Sequence, residues 1–251
     1  MKNLTIEYIR NSYKTSPDSD FYKYSLARYL FRPLSFYIAW AAIKLNVSPN
    51  QVTFLSWLTL FLGCINYATQ CIDFTLFSFA MIFVWALLDY VDGTMARALS
   101  ARSNFGHFID VVGAYYLFAF LPLALAIGSD DQILRSITSI TVEYTQFNFV
   151  SPNIVTIGAS SAISNLLLRL ILLRGQVTFG VNVRDIDETN RSASVVAWVE
   201  ALASPRGFFF PLLLLCDYFK TLDIFVLIYA VYYGLALIIY TPIYCFKNRI
   251  K

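Results

Sequence analysis

Apolar residues in this chain gather in windows of about 20, the length a helix needs to cross roughly 30 Å of hydrocarbon. Lipid offers the backbone no hydrogen-bond partner, so a chain built from such windows is confined to helices that satisfy their own polar groups. The windows cover residues 51–69, 74–95, 105–128, 153–173, 207–219 and 224–246. The fifth is short, and its helix is expected to begin earlier, around Ser194, ahead of Pro205. A content of 58% hydrophobic and only 14% charged residues excludes an ordinary soluble domain. The expected fold is an all-α integral membrane protein with six transmembrane helices.

Charge orients these helices. With a cytoplasmic N-terminus, 17 of the 19 Lys and Arg residues fall on the inner side, leaving Arg135 and Lys220 outside. That asymmetry satisfies the positive-inside rule, so both termini are expected in the cytoplasm. The opening residues lack the basic start, short apolar run and cleavage site of a secretory signal. One further apolar run, Pro33 to Ile43, is too short to span and is bracketed by Arg28, Arg32 and Lys44. It predicts an amphipathic helix over about 25–46, lying in the cytoplasmic interface with its basic residues snorkelling toward headgroups. Ser48, Pro49 and Asn50 are expected to end that helix and start the first span, with Pro at an early helical position. Residues 1–49 thus form a cytoplasmic N-terminus and 50–251 a six-helix membrane domain. The four cysteines are scattered without metal or redox spacing and read as small apolar side chains. A net charge of +3 gives no argument for nucleic acid as a partner.

Against this apolar background stands LLDYVDGTMARALSARSNFGHFIDVVGAYY, residues 87–116. Asp89 and Asp92 are three apart and share a helix face, and a turn of some eight residues brings Asp110 back beside them on the next helix. Ionised groups in such a place need a partner. Three gathered carboxylates do not all ionise without a cation, and a hard divalent ion bound through oxygen is the simplest one. Gly93, Ala96, Gly106 and Gly113 leave room for a ligand or for another helix backbone. Arg97 carries a planar fork of donors suited to phosphate, so acids, space and arginine together suit a diphosphate.

The segment resembles the signature of the CDP-alcohol phosphotransferase family, DxxDGxxARx(8)GxxxDxxxD. Asp89, Asp92, Gly93, Ala96, Arg97, Gly106 and Asp110 match seven of its eight fixed positions. The approach through Pro49, Asn50 and Thr53 is similar to that family's entry into the first span. The resemblance implies a membrane enzyme that moves a phosphatidyl or similar phospho-alcohol group from a CDP-linked donor to an alcohol, releasing CMP. It implies two divalent cations, Mg2+ or Mn2+, held by Asp89, Asp92 and Asp110. The same acids with Gly93, Ala96, Arg97 and Thr53 then form the donor site, and a homodimer is the usual assembly.

The eighth position departs from the pattern. Ala114 stands where the family carries the acid that deprotonates the acceptor hydroxyl and helps to bind metal. Loss of a general base typically costs about 100 to 10,000-fold in rate. His107, the only histidine, lies about two turns away from position 114. Three origins fit: an acid replaced to silence an enzyme, a natural member without catalysis, or a member with another base.

For the acceptor, Asn165, Arg169 and Arg206 near the inner ends of the later spans are candidates by analogy with relatives whose acceptors carry phosphate, although such arginines also serve inner-face headgroups. Inositol phosphate, glycerol phosphate, serine or a larger polar alcohol fit equally. Two other classes stand beside the enzyme. One is a binding protein that keeps the metal and CDP-alcohol site without turnover. The other is a cation transporter, disfavoured because the acids cluster at one membrane face and no broken-helix repeat is present.

Overall fold

The computed structural model describes residues 5–14, 27–71, 75–101, 103–129, 153–179 and 209–249, and among them the regular structure is entirely helical. The helices are α1 (Ile6–Lys14), α2 (Arg32–Lys44), α3 (Pro49–Thr69), α4 (Thr75–Ala98), α5 (Asn104–Gly128), α6 (Ile154–Phe179), α7 (Phe209–Tyr218) and α8 (Leu222–Arg249), with a π-helical turn (Ala27–Phe31) running into α2. Five of them, α3, α4, α5, α6 and α8, are long and apolar enough to cross a membrane. The chain is therefore read as an integral membrane protein. In the fifth predicted window, α7 supplies ten described residues, and the stretch leading into it, 180–208, lies outside the described residues.

Local chemistry explains where these helices begin and end. At the start of α3, Ser48 Oγ accepts from the Gln51 amide at 3.3 Å while Gln51 Oε1 accepts from the Ser48 amide at 2.8 Å. This is a reciprocal capping box, with Pro49 at the first helical position. Helices α2, α4 and α7 close in one common way. Asn46, Ser100 and Lys220 take φ of 57°, 52° and 56°. The next amide in each case, that of Val47, Ala101 or Thr221, then bonds a carbonyl five residues back. The connection between α4 and α5 is shorter than the eight residues expected. Ser103 Oγ accepts from the Gly106 amide at 2.9 Å, so Asn104, Phe105 and Gly106 already belong to α5.

The contacts divide the chain into two compact units. The first contains α1, α2, α3 as far as Asn66, α4 and the start of α5 to Leu117. Its interior includes Ala39, Val52, Val91 and Met95, which join α2, α3 and α4. The second contains the remainder of α5, α6, most of α7 and α8. There α6 packs along α8, and Gly158 lets α6 approach Ala126 and the Pro122 carbonyl so closely that a Cβ would overlap both.

Two features of the first unit differ from the sequence expectation. Arg32 does not reach outward from α2: it is 7% exposed, its guanidinium 4.4 Å from the ring centroids of both Tyr13 and Tyr90. The outer face of α2 carries Leu34 and Tyr37 instead, and Lys44 lies over the Trp40 ring at 3.8 Å. Helix α1 was not anticipated. Its signal is Ile6, Ile9 and Tyr13, which recur on one helical face and pack against Phe36 and Ala98.

Candidate functional site

Asp92 is the buried acid of the motif. It sits inside the first unit at 6% exposure, while Asp89, one turn earlier on α4, is half-buried and Asp110 on α5 is exposed. Thr53 of α3 fixes it by donating its hydroxyl to Asp92 Oδ2 at 2.5 Å, with the Pro49 carbonyl also within reach at 3.2 Å. The charges of both Asp89 and Asp110 act on Asp92. Three helices thus bring the acids into one electrostatic neighbourhood, as the i, i+3 spacing and the short turn require. Among the described residues no three Asp, Glu, His or Cys side chains stand close enough together to form a metal ligand set. In donor chemistry the group still suits a hard divalent ion, being made of carboxylate oxygens with a hydroxyl orienting one of them.

The small residues divide between two tasks. At Gly93 a Cβ would meet Nη2 of Arg97 at 3.3 Å, so the glycine leaves space for the guanidinium one turn further along α4. Gly106 has Asn50 Oδ1 at 3.6 Å from such a Cβ, which sets the start of α5 beside the start of α3. Gly113 serves packing: a Cβ there would overlap the Trp57 indole, which also meets Phe54 and Tyr116 edge-on at 5.1 and 5.2 Å. Ala96 and Ala114 are half-buried, and Ala114 follows Asp110 by one turn. His107 is exposed.

Of the acceptor candidates, the second unit brings two together. Arg169 Nε donates to Asn165 Oδ1 at 2.9 Å, and its guanidinium stands over the Phe118 ring at 3.6 Å. Asn165 is 1% exposed, and its Nδ2, like the Oγ of Ser161 one turn earlier, has no hydrogen-bond partner among the described residues. The third candidate, Arg206, lies outside the described residues.

Residues 46–239 match the family model for CDP-alcohol phosphatidyltransferase. The chain belongs to the CDP-alcohol phosphatidyltransferase family. The match takes in α3 to α7 and most of α8, and with them every motif position from Thr53 to Ala114. The family is one of transferases, its reaction being phosphatidyl transfer in phospholipid synthesis, and it uses divalent metals generally. The chain is also similar to an uncharacterized protein of Aquifex aeolicus (strain VF5), 28% identical over 147 residues that cover 55% of this chain and 72% of that one. Within the CDP-alcohol phosphatidyltransferase match, the resemblance implies a donor-site role for Thr53, and its bond to Asp92 is visible only in the fold. A hydroxyl 39 positions away carries no local periodic signal.

Proposed function

We propose that this chain takes a CDP-linked lipid or alcohol as donor and a polar alcohol as acceptor, and that its site is built to transfer the phosphatidyl or phospho-alcohol group between them with release of CMP. The observation that carries this reading is Asp92, buried, oriented by Thr53 and under the charges of Asp89 and Asp110. Asp89, Asp92 and Asp110 would hold two Mg2+ or Mn2+ ions. Such ions, when bound, neutralise charge on a diphosphate undergoing displacement. Thr53 orients Asp92, Gly93 and Ala96 keep the donor's path open, and Arg97 offers its fork of donors to the diphosphate.

In the transfer itself, the acceptor's hydroxyl oxygen bonds to the lipid-side phosphorus. The bond from that phosphorus to the bridging oxygen breaks, and CMP leaves with that oxygen. Most of the protein's contribution is positioning. In the family pattern the group that takes the hydroxyl's proton stands one turn after Asp110, where Ala114 has none to offer. This favours a second reading: a member that binds metal and CDP-alcohol without turnover.

Asn165 and Arg169 are the proposed acceptor contacts, with Arg206 as a third, and the unpaired Asn165 amide and the guanidinium suit an oxygen-rich, anionic headgroup. In this reading both termini and the site lie on the cytoplasmic side, residues 1–49 in the cytoplasm with the helix over about 25–46 at the interface and 50–251 in the bilayer as six spans, which the Lys and Arg distribution supports for the sidedness. The assembly would be a homodimer.

The test is CMP release from CDP-diacylglycerol with Mg2+ or Mn2+ and a panel of alcohols, for this chain and Ala114→Asp. Release by the Asp variant alone supports the transferase site with its base missing. Equal release by both would remove position 114 from the mechanism. Release by neither, together with no stabilisation by CDP and metal, would overturn the reading.

A further inference from the structure

Arg97 is the motif's only long flexible side chain, and α1 is what covers it. Ile9 and Tyr13 of α1 are 0% and 2% exposed and pack against Ala98, the residue after Arg97. The Tyr13 ring has the Arg97 guanidinium 5.1 Å and the Arg32 guanidinium 4.4 Å from its centroid. Both distances lie within cation–π range. On the other side of Arg32 is the Tyr90 ring, at 4.4 Å. Arg97 also borders Gly93, where a Cβ would meet its Nη2. One aromatic ring therefore gathers two guanidiniums, one from α2 and one from the acid-bearing helix. Tyr13 and Arg32 both precede residue 46, where the family match begins.

A guanidinium on a free arginine loses rotamer freedom when it grips a ligand, and a side chain already fixed loses less. We propose that Tyr13 is a positioning residue for the donor's diphosphate. It holds the Arg97 guanidinium over its ring, in the orientation in which Arg97 meets the diphosphate. Helix α1 thereby becomes part of the donor site. This inference rests on the reading of Arg97 as a donor contact.

The experiment measures the affinity of the full chain for CDP with Mg2+ by calorimetry, with Tyr13→Phe, Tyr13→Met, Arg97→Ala and the double variant Tyr13→Met/Arg97→Ala. Tyr13→Met is expected to bind about tenfold more weakly, between the sizes of an exposed and a desolvated cation–π contact. Tyr13→Phe is expected to stay within about twofold, since it keeps the ring. The double variant is expected to bind no more weakly than Arg97→Ala alone, because Tyr13 acts through Arg97. A purely structural Tyr13 would instead give additive losses. Replacement of Tyr13 by 3,4,5-trifluorophenylalanine keeps the shape while depleting the ring's negative face, so a loss of affinity there supports the proposal even if Tyr13→Met does not fold. Unchanged affinity in the trifluoro variant, or additivity in the double variant, overturns the role of Tyr13 while leaving the donor reading intact. Unchanged affinity in Arg97→Ala overturns both.

Discussion

The two compact units each bury polar side chains within apolar helices, and they do so differently. In the first, Asp92 of α4 is met by Thr53 of α3 and sits under the charges of Asp89 and Asp110, so three helices define one carboxylate. In the second, Asn165 and Arg169 bond each other along α6, four residues apart, with the guanidinium over the Phe118 ring of α5, and the Asn165 Nδ2 has no hydrogen-bond partner among the described residues. A group fixed from several helices is pre-organised and tolerates little change. The Asn165–Arg169 pair instead keeps spare hydrogen-bonding capacity at the Asn165 amide.

Five variants sharpen or break that contrast. The largest effect is expected from Ala114→Asp, which restores an acid one turn beyond Asp110. CMP release should rise about 100 to 10,000-fold, measured against this chain with the same donor and alcohol. Next comes Thr53→Val, which removes the hydroxyl that orients Asp92. Affinity for Mn2+, followed by calorimetry, should fall about 10- to 100-fold, as for other partners that orient a metal ligand. If Asp92 works equally well without Thr53, pre-organisation of the first unit is not what distinguishes it.

In the second unit, Arg169→Met should raise the KM for a phosphate-bearing acceptor about tenfold, the lower end of a hydrogen bond to a charged group, and leave CDP affinity unchanged. A loss of CDP affinity instead would move Arg169 out of the acceptor role. The smallest effects come from the two glycines. Gly113→Ala should lower stability by about 1–3 kcal/mol, since Trp57 is packed against α5 and has to shift. Gly93→Ala should cost less, because a Cβ there comes no closer than 3.3 Å to Arg97 Nη2, whereas at Gly113 it would overlap the Trp57 indole. Thermal unfolding of ligand-free protein compares the two, and an equal loss would show that Arg97 is held as firmly as Trp57.

Much of this was legible in the residues. The length of the apolar windows at α3, α4, α5, α6 and α8 follows from the thickness of hydrocarbon, and the Ser48–Gln51 cap from short-range hydrogen bonding. The motif spacing by itself put Asp89 and Asp92 on one face and returned Asp110 toward them, since helix pitch and a short turn leave little freedom. Arg32, read as a snorkelling residue, shows where such reasoning stops. Composition places an arginine beside an apolar run at the interface, but whether it turns to headgroups or inward depends on rings at positions 13 and 90.

The sequence by itself determined the long apolar helices and the family signature, because these rest on periodicity and on spacing within short stretches such as 89–114. Only the tertiary structure decided that Thr53 holds Asp92, that Trp57 fills the space at Gly113 and that Tyr13 stands over Arg97. Each of these joins residues tens of positions apart. Which residue fills a given gap between packed helices depends on how all of them close together, and no local pattern records it.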